Sequence, residues 1–297
     1  YDTVAPTVAI TRTDGSSAVL RAGASAQLTL TFSEEVNDLT LSDITVPAGK
    51  GTVSNLQKSL SNPKVYTVTF TPAADLTPQD VQLSLASATV VDAFGNANAD
   101  GADADNRLTL SVDTQAPTVN TVAISSSAGS DNTYKLGDVV SVTVTFSEAI
   151  TVTGTGANRP YLNLNVGSLL RQAYYDSSSA DNTTLTFKYT IQSGDNTPDG
   201  LSVAANALTA GGGSLKDAAG NTAVLDHASV LASTSQQVDS TAPVVTITRA
   251  GSHVLAGNAE TASLNEETFT FTFSEDPGSS FAWNGSAGDV VVSGGAL

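Results

Sequence analysis

The stretch Leu28-Thr29-Leu30-Thr31-Phe32-Ser33-Glu34 returns as Val142-Thr143-Val144-Thr145-Phe146-Ser147-Glu148 and again as Phe269-Thr270-Phe271-Thr272-Phe273-Ser274-Glu275. Large apolar residues alternate with threonine, so each copy turns one face of a strand toward a core and the other toward water. The same period of two runs through Tyr66, Val68 and Phe70 and through Leu185, Phe187, Tyr189 and Ile191, with Gly, Asn, Asp and Pro in the gaps. No segment has a convincing helical period. Short strands with frequent turns, in units of little more than a hundred residues, predict an all-β chain of two-sheet sandwiches.

An acidic mark stands upstream of each copy: Asp2-Thr3-Val4-Ala5-Pro6, Asp113-Thr114-Gln115-Ala116-Pro117 and Asp239-Ser240-Thr241-Ala242-Pro243. Downstream of the first two lies Asp-x-x-Gly-Asn, from Asp92 to Asn96 and from Asp217 to Asn221. The boundary aspartates are 111 and 126 residues apart, the size of a globular domain rather than of a solenoid repeat. The marks divide the chain into 1–112, 113–238 and 239–297. The last stretch is expected to be the N-terminal part of a third domain, with the inner face of its sheet left open. Beginning on Tyr1, the chain reads as an excerpt of a longer protein. The second unit takes its extra length mainly between Glu148 and Asp217, in an insertion carrying Arg159-Pro160-Tyr161 and Tyr174-Tyr175. A proline four residues after each boundary Asp stiffens the connector.

Twenty-nine acids against 12 bases give a net charge of −17, which repels phosphate and attracts divalent cations. Neither nucleic acid nor an anionic membrane is expected as a partner. No apolar run reaches the roughly 18–20 residues of a membrane helix, so no membrane insertion is expected. With no cysteine, the chain has no disulfide, thiolate metal site or Cys nucleophile. Enzyme signatures are missing, and no enzymatic activity is expected. His227 and His253 lie in different segments without a zinc-type or nucleophile-elbow pattern and are expected at the surface. Gly211-Gly212-Gly213 lacks the Lys-Ser or Lys-Thr of a phosphate loop and is expected to be a hairpin turn.

Sandwich topology brings the recurring acids together. The second strand returns to the pole where the first began, so the Glu that ends it lies beside the lead-in segment; Asp-x-x-Gly-Asn, about one loop and one strand before the next boundary, occupies the penultimate loop at the same pole. Three bare carboxylates there would repel one another, and a hard cation removes the conflict. Calcium takes about 6–8 oxygens at roughly 2.3–2.6 Å, from carboxylates, amides and loop carbonyls. The expected Ca2+ sites are Asp2, Glu34, Asp92 and Asn96, then Asp113, Glu148, Asp217 and Asn221, with Asp239 and Glu275 beginning a third. Read alone, Asp-x-x-Gly-Asn is also a plain turn, with Asp accepting backbone N–H groups and Gly supplying positive φ. Two weaker acidic groups, Asp100, Asp103 and Asp105, and Asp195 with Asp199, are expected to be solvated loops. Tyr161, Tyr174 and Tyr175 have two readings: a stacking platform for sugars, or core packing by Tyr161 and one of the adjacent pair. The role of Trp283, the single tryptophan, stays open.

Asp-x-x-Ala-Pro, a strand ending Phe-Ser-Glu, Asp43-Ile44-Thr45-Val46, Tyr66-Thr67-Val68-Thr69-Phe70-Thr71-Pro72 and Asp-x-x-Gly-Asn together resemble the bacterial immunoglobulin-like repeats of giant calcium-dependent surface adhesins. These include biofilm-associated and type I-secreted proteins. Through Tyr161-Leu162-Asn163-Leu164, Leu185 to Thr190, Gly194-Asp195, Asn206-Ala207-Leu208 and Asp217 to Asn221, the second unit resembles a related repeat of a swimming-motility surface protein. The resemblance implies tandem immunoglobulin-like domains that bind calcium at their junctions, on the outside of a bacterial cell. It implies a structural extender of a secreted adhesin, with neighbouring repeats of the same chain as partners and cell-surface glycans or like chains as further candidates. Two alternatives remain open: a region of a self-assembling surface layer, sheath or filament, and a carbohydrate-binding module in the middle domain.

Overall fold

The computed structural model describes residues 2–100, 104–250, 268–277, 281–283 and 288–291. Among the described residues, helix is confined to three single 3-10 turns, Leu41–Asp43, Gly156–Asn158 and Thr234–Gln236.

The first unit is built from β1 (Val8–Arg12), β2 (Ala26–Phe32), β3 (Val36–Asn37), β4 (Ile44–Thr45), β5 (Gly51–Lys58), β6 (Val65–Pro72), β7 (Gln79–Leu85), β8 (Val91–Asp92) and β9 (Arg107–Val112). Antiparallel sheets β1-β2-β6-β5 and β4-β7-β9 enclose its core, and β3 pairs with β8 at one end. The register Leu28↔Val68 and Leu30↔Tyr66 aligns the apolar residues of neighbouring strands on one face. Leu28, Leu30 and Phe32 are buried among Val81, Leu83, Leu85, Leu110 and Val112 of the opposing sheet. Each such side chain contributes on the order of 1.5–3 kcal/mol by leaving water.

The second unit follows with β10 (Val119–Ile124), β11 (Thr133–Tyr134), β12 (Val139–Phe146), β13 (Thr151–Thr153), β14 (Tyr161–Val166), β15 (Leu169–Ser178), β16 (Thr184–Thr190), β17 (Asn196–Thr197), β18 (Leu208–Thr209), β19 (Ser214–Lys216) and β20 (Gln237–Asp239). Its main sheet runs β10-β12-β16-β15-β14-β18, covered by β11-β20-β17 and β13-β19. β15 pairs with β16 as β5 pairs with β6, and the longer span between Glu148 and Asp217 extends this sheet beyond it by β14 and β18. Val142, Val144 and Phe146 are buried in a second core, separate from the first. In the third segment β21 (Val245–Ala250) pairs with β22 (Thr268–Phe273), leaving Val245, Ile247 and Phe269 exposed.

Several expectations are corrected. Asp100 and Asp195 are buried, not solvated. Asp100 accepts the N–H of Val8 at 2.5 Å and so pins β1 to the loop before β9. Asp195 is fully enclosed: Oδ1 meets Arg171 Nε and Nη2, both at 2.7 Å, and Oδ2 accepts from Tyr189 Oη and from the Gln192 N–H at 2.9 Å. Loops crossing a sandwich pole strand backbone N–H groups, and a buried carboxylate satisfies them where no ladder partner exists. Asp105 and Asp199 are exposed as expected, and Asp103 lies outside the described residues.

His227 is half-buried, and its Nε2 accepts the N–H groups of Ala207 and Leu208; His253 lies outside the described residues. Gly211 and Gly212 turn with φ of 61° and 99° as expected, but they join strands of different sheets rather than a hairpin. Tyr161 occupies the outward register of β14, whose buried residues are Leu162, Leu164 and Val166, while Tyr175 packs on Phe187 at the core edge. Trp283 is half-buried in an isolated bridge to Gly288.

Candidate metal centres at the unit poles

The serine of each Phe-Ser-Glu builds the pole. Ser33 Oγ accepts the N–H of Thr7 at 3.0 Å while its own N–H donates to the Thr7 carbonyl at 3.0 Å. Ser147 holds Thr118 in the same way, at 3.0 and 2.9 Å. Ser274 holds Val244, at 2.9 and 2.8 Å. Each held residue follows the connector proline, so the two-way bond fastens the lead-in segment to the end of the second strand and sets the next residue, Glu, beside it. Sequence reasoning missed this role; the signal was a serine repeated three times between Phe and Glu.

Asp-x-x-Gly-Asn supplies the third carboxylate on a self-contained turn. Asp217 Oδ1 accepts the N–H groups of Gly220 and Asn221 at 2.6 and 2.8 Å, and Asn221 Nδ2 returns to Oδ2 at 2.6 Å. Gly220 turns the chain at φ 96°, a conformation that side chains disfavour. Asp92 is held alike by the N–H groups of Phe94 and Asn96, at 2.8 and 2.7 Å, and by Asn96 Nδ2 at 2.7 Å. The plain turn expected of this motif is therefore present, and the same aspartate is one of the carboxylates at the pole.

These elements bring Asp2, Glu34 and Asp92 together at one pole and Asp113, Glu148 and Asp217 at the other, each group's ligand oxygens lying within 4.8 Å of one another. Glu34 Oε1 and Asp113 Oδ1 are buried without a hydrogen-bond partner, and Asp113 is only 5% exposed. Burial raises the Glu34 carboxyl above its ordinary value, and Asp2 and Asp92 add to the rise. Burial likewise lifts Asp113, helped by Asp217, and lifts Glu148, helped by Asp217 and Asp113. Burial opposes the charge of Asp92 too, but hydrogen bonds from Asn96 and the turn outweigh it and leave this carboxyl low. An orphaned, buried oxygen among crowded carboxylates fits a hard cation, which would satisfy the oxygen and relieve the repulsion together.

Asn96 and Asn221 stand beside these groups as donors. Their Nδ2 atoms also reach the carbonyls of the boundary aspartates, Asp2 at 3.3 Å and Asp113 at 2.9 Å. Asn221 does one thing more: its Oδ1 accepts the N–H of Ala22, in the first unit, at 2.8 Å. The connector is tied back as well, since the N–H groups of Thr114 and Gln115 donate to the Leu76 carbonyl and the Leu76 N–H to Thr114 Oγ1. A cleft of about 410 Å³ lies between the units, lined by Val19, Pro78 and Asp80 on one side and Ala218 and Ala219 on the other.

The third segment assembles only part of such a group. Glu275 Oε1 is buried without a partner, whereas Asp239 is exposed at the end of β20 with Oδ1 on the Thr241 N–H. Neither belongs to a group of three or more such residues among the described residues.

Residues 2–110 match the family model of the bacterial Ig-like domain, a span that opens on Asp2 and holds all three carboxylates of the first group. A comparison with curated proteins finds no match. Among solved structures, a three-domain I-band fragment of titin is 9% identical, covering 94% of this chain and 89% of that one with a TM-score of 0.33. A crystal structure of the S-layer protein rSbsC is 12% identical, covering 93% of this chain and 33% of that one with a TM-score of 0.23.

Proposed function

We propose that this chain is a spacer: tandem Ig-like units of a bacterial cell-surface adhesin, extended and stiffened by calcium at their junctions. The reading rests on the second carboxylate group. Asp113 belongs to the connector, its buried Oδ1 lacks a partner, and it sits with Glu148 and Asp217 of the following unit. Calcium bound there by Asp113, Glu148 and Asp217 would supply a charge that joins connector to pole. Asn221 would carry the effect across the joint, because the residue that locks Asp217 also holds Ala22 of the preceding unit. Nothing in this role needs catalysis. Asp2, Glu34 and Asp92 would serve a further junction in the same manner.

Small-angle scattering with calcium and then with excess chelator tests this reading. Chelation is expected to shorten the mean dimensions while circular dichroism keeps its β signature, and Asn221→Ala is expected to make the calcium-loaded chain behave partly like the chelated one. Profiles that superimpose with and without chelator would refute calcium stiffening.

A further inference from the structure

The outward positions of the strands are mostly threonine and serine, but the β14-β15 hairpin departs from that coat with Tyr161, Asn163, Leu170, Gln172 and Tyr174. A cleft of about 310 Å³ opens on this face, lined by Asn163, Leu170, Arg171, Gln172, Tyr174 and Gln192, with Tyr189 behind. That volume is at the small end of ligand pockets, which run roughly 300–1,000 Å³.

The lining is preorganised. Arg159 lies over the Tyr174 ring at 4.8 Å and Tyr161 leans on it at 5.8 Å, so Tyr174 is held in place and its ring is not a free stacking platform. The Tyr174 hydroxyl donates to Gln172 Oε1 at 2.6 Å, which fixes that amide and leaves its NH2 as the free donor. Among the described residues the side-chain amides of Asn163 and Gln192 make no hydrogen bond, and they add donors and acceptors on either side of the cleft. Below them Asp195 grips Arg171 through two N–H groups and also holds Tyr189 and the Gln192 backbone. Asp195 thereby cancels the charge of Arg171, the one cation among the described residues of the cleft lining, while Arg159 is spent on the face of Tyr174. Leu170, 62% exposed, supplies an apolar patch beside the amides.

We infer that this cleft binds a neutral saccharide of one or two rings. Hydroxyl groups both donate and accept and so match side-chain amides on each face, while the C–H face of a sugar ring matches Leu170. A nucleotide or acidic sugar is disfavoured by the cancelled Arg171 charge and by the net −17 of the chain. The site is independent of the carboxylate groups and of the spacer role.

The test is binding of the whole chain to an immobilised panel of neutral and sialylated oligosaccharides, run with calcium and with chelator. Saturable binding to neutral members that persists under chelation is expected. Gln172→Ala, at an exposed position, is expected to weaken it about 3- to 10-fold, the size of one hydrogen bond, and Tyr174→Phe, which removes only the hydroxyl that orients Gln172, by a smaller factor. Circular dichroism and melting of both variants are expected to match the parent chain. No saturable binding to any neutral member, binding that the Gln172→Ala chain retains in full, or preference for the sialylated members would overturn the inference.

Discussion

At the scale of single residues, the poles are built from carboxylates whose surroundings disfavour their charge. Asp113 and Glu148 have folded pKa values raised by burial and by their neighbours, so without a metal the folded chain binds more protons than the unfolded one. The stability they lend is fully present below the ordinary carboxylate value of about 4 and is lost as pH rises through the raised values. Calcium bound there would reverse the sign, because it would favour the ionised form. Differential scanning calorimetry in chelator should therefore show the melting temperature of the second unit drifting down across that range, with the gap between calcium and chelator widening. A gap independent of pH would contradict the assignment. Asp195 acts oppositely: burial opposes its charge, but Tyr189, the Gln192 N–H and Arg171 hold it below the ordinary value, so its contribution is present above that value and lost toward acid. Its partner Tyr189 is pushed up to about 12, first by burial and then by Asp195, so this proton stays on through neutral and mildly alkaline pH.

At the scale of elements, the second strand of each unit does two jobs. Its alternation fills the core, and its terminal serine fastens the lead-in segment. Ser147→Ala removes the bond to the Thr118 N–H and should cost about 0.5–1.5 kcal/mol of stability, read by urea unfolding of the second unit. It should also weaken calcium at the second group, since Glu148 follows directly; a variant with unchanged calcium affinity would separate the clamp from the site. The strands themselves were legible from period two, because a half-buried strand writes its two faces into alternate residues. The grouping of the carboxylates was legible as well, since topology returns the end of the second strand and the penultimate loop to one pole. What could not be read was orientation. Asn221 was expected among the ligands, yet its amide nitrogen turns to Asp217 and its oxygen to Ala22, nearly two hundred positions earlier in the chain. The burial of Asp100 and Asp195 was equally illegible, because a polar loop shows nothing in its composition of the strand ends that cross above it.

At the scale of the whole molecule, the central claim is that the poles bind calcium and the joint stiffens in consequence. For a dissociation constant of about 10⁻⁴ M, calcium at 1–10 mM would add roughly 1.4–2.7 kcal/mol per site. That is modest beside folding and ample for holding a short connector against bending. Calorimetric titration of the metal-free chain with calcium is the most direct measurement. The account predicts saturable heat from the two complete carboxylate groups, with the second group's share abolished by Asp113→Ala together with Glu148→Ala and the first group's left intact. A titration showing only heat of dilution, in a chain whose circular dichroism confirms the β fold, would contradict it.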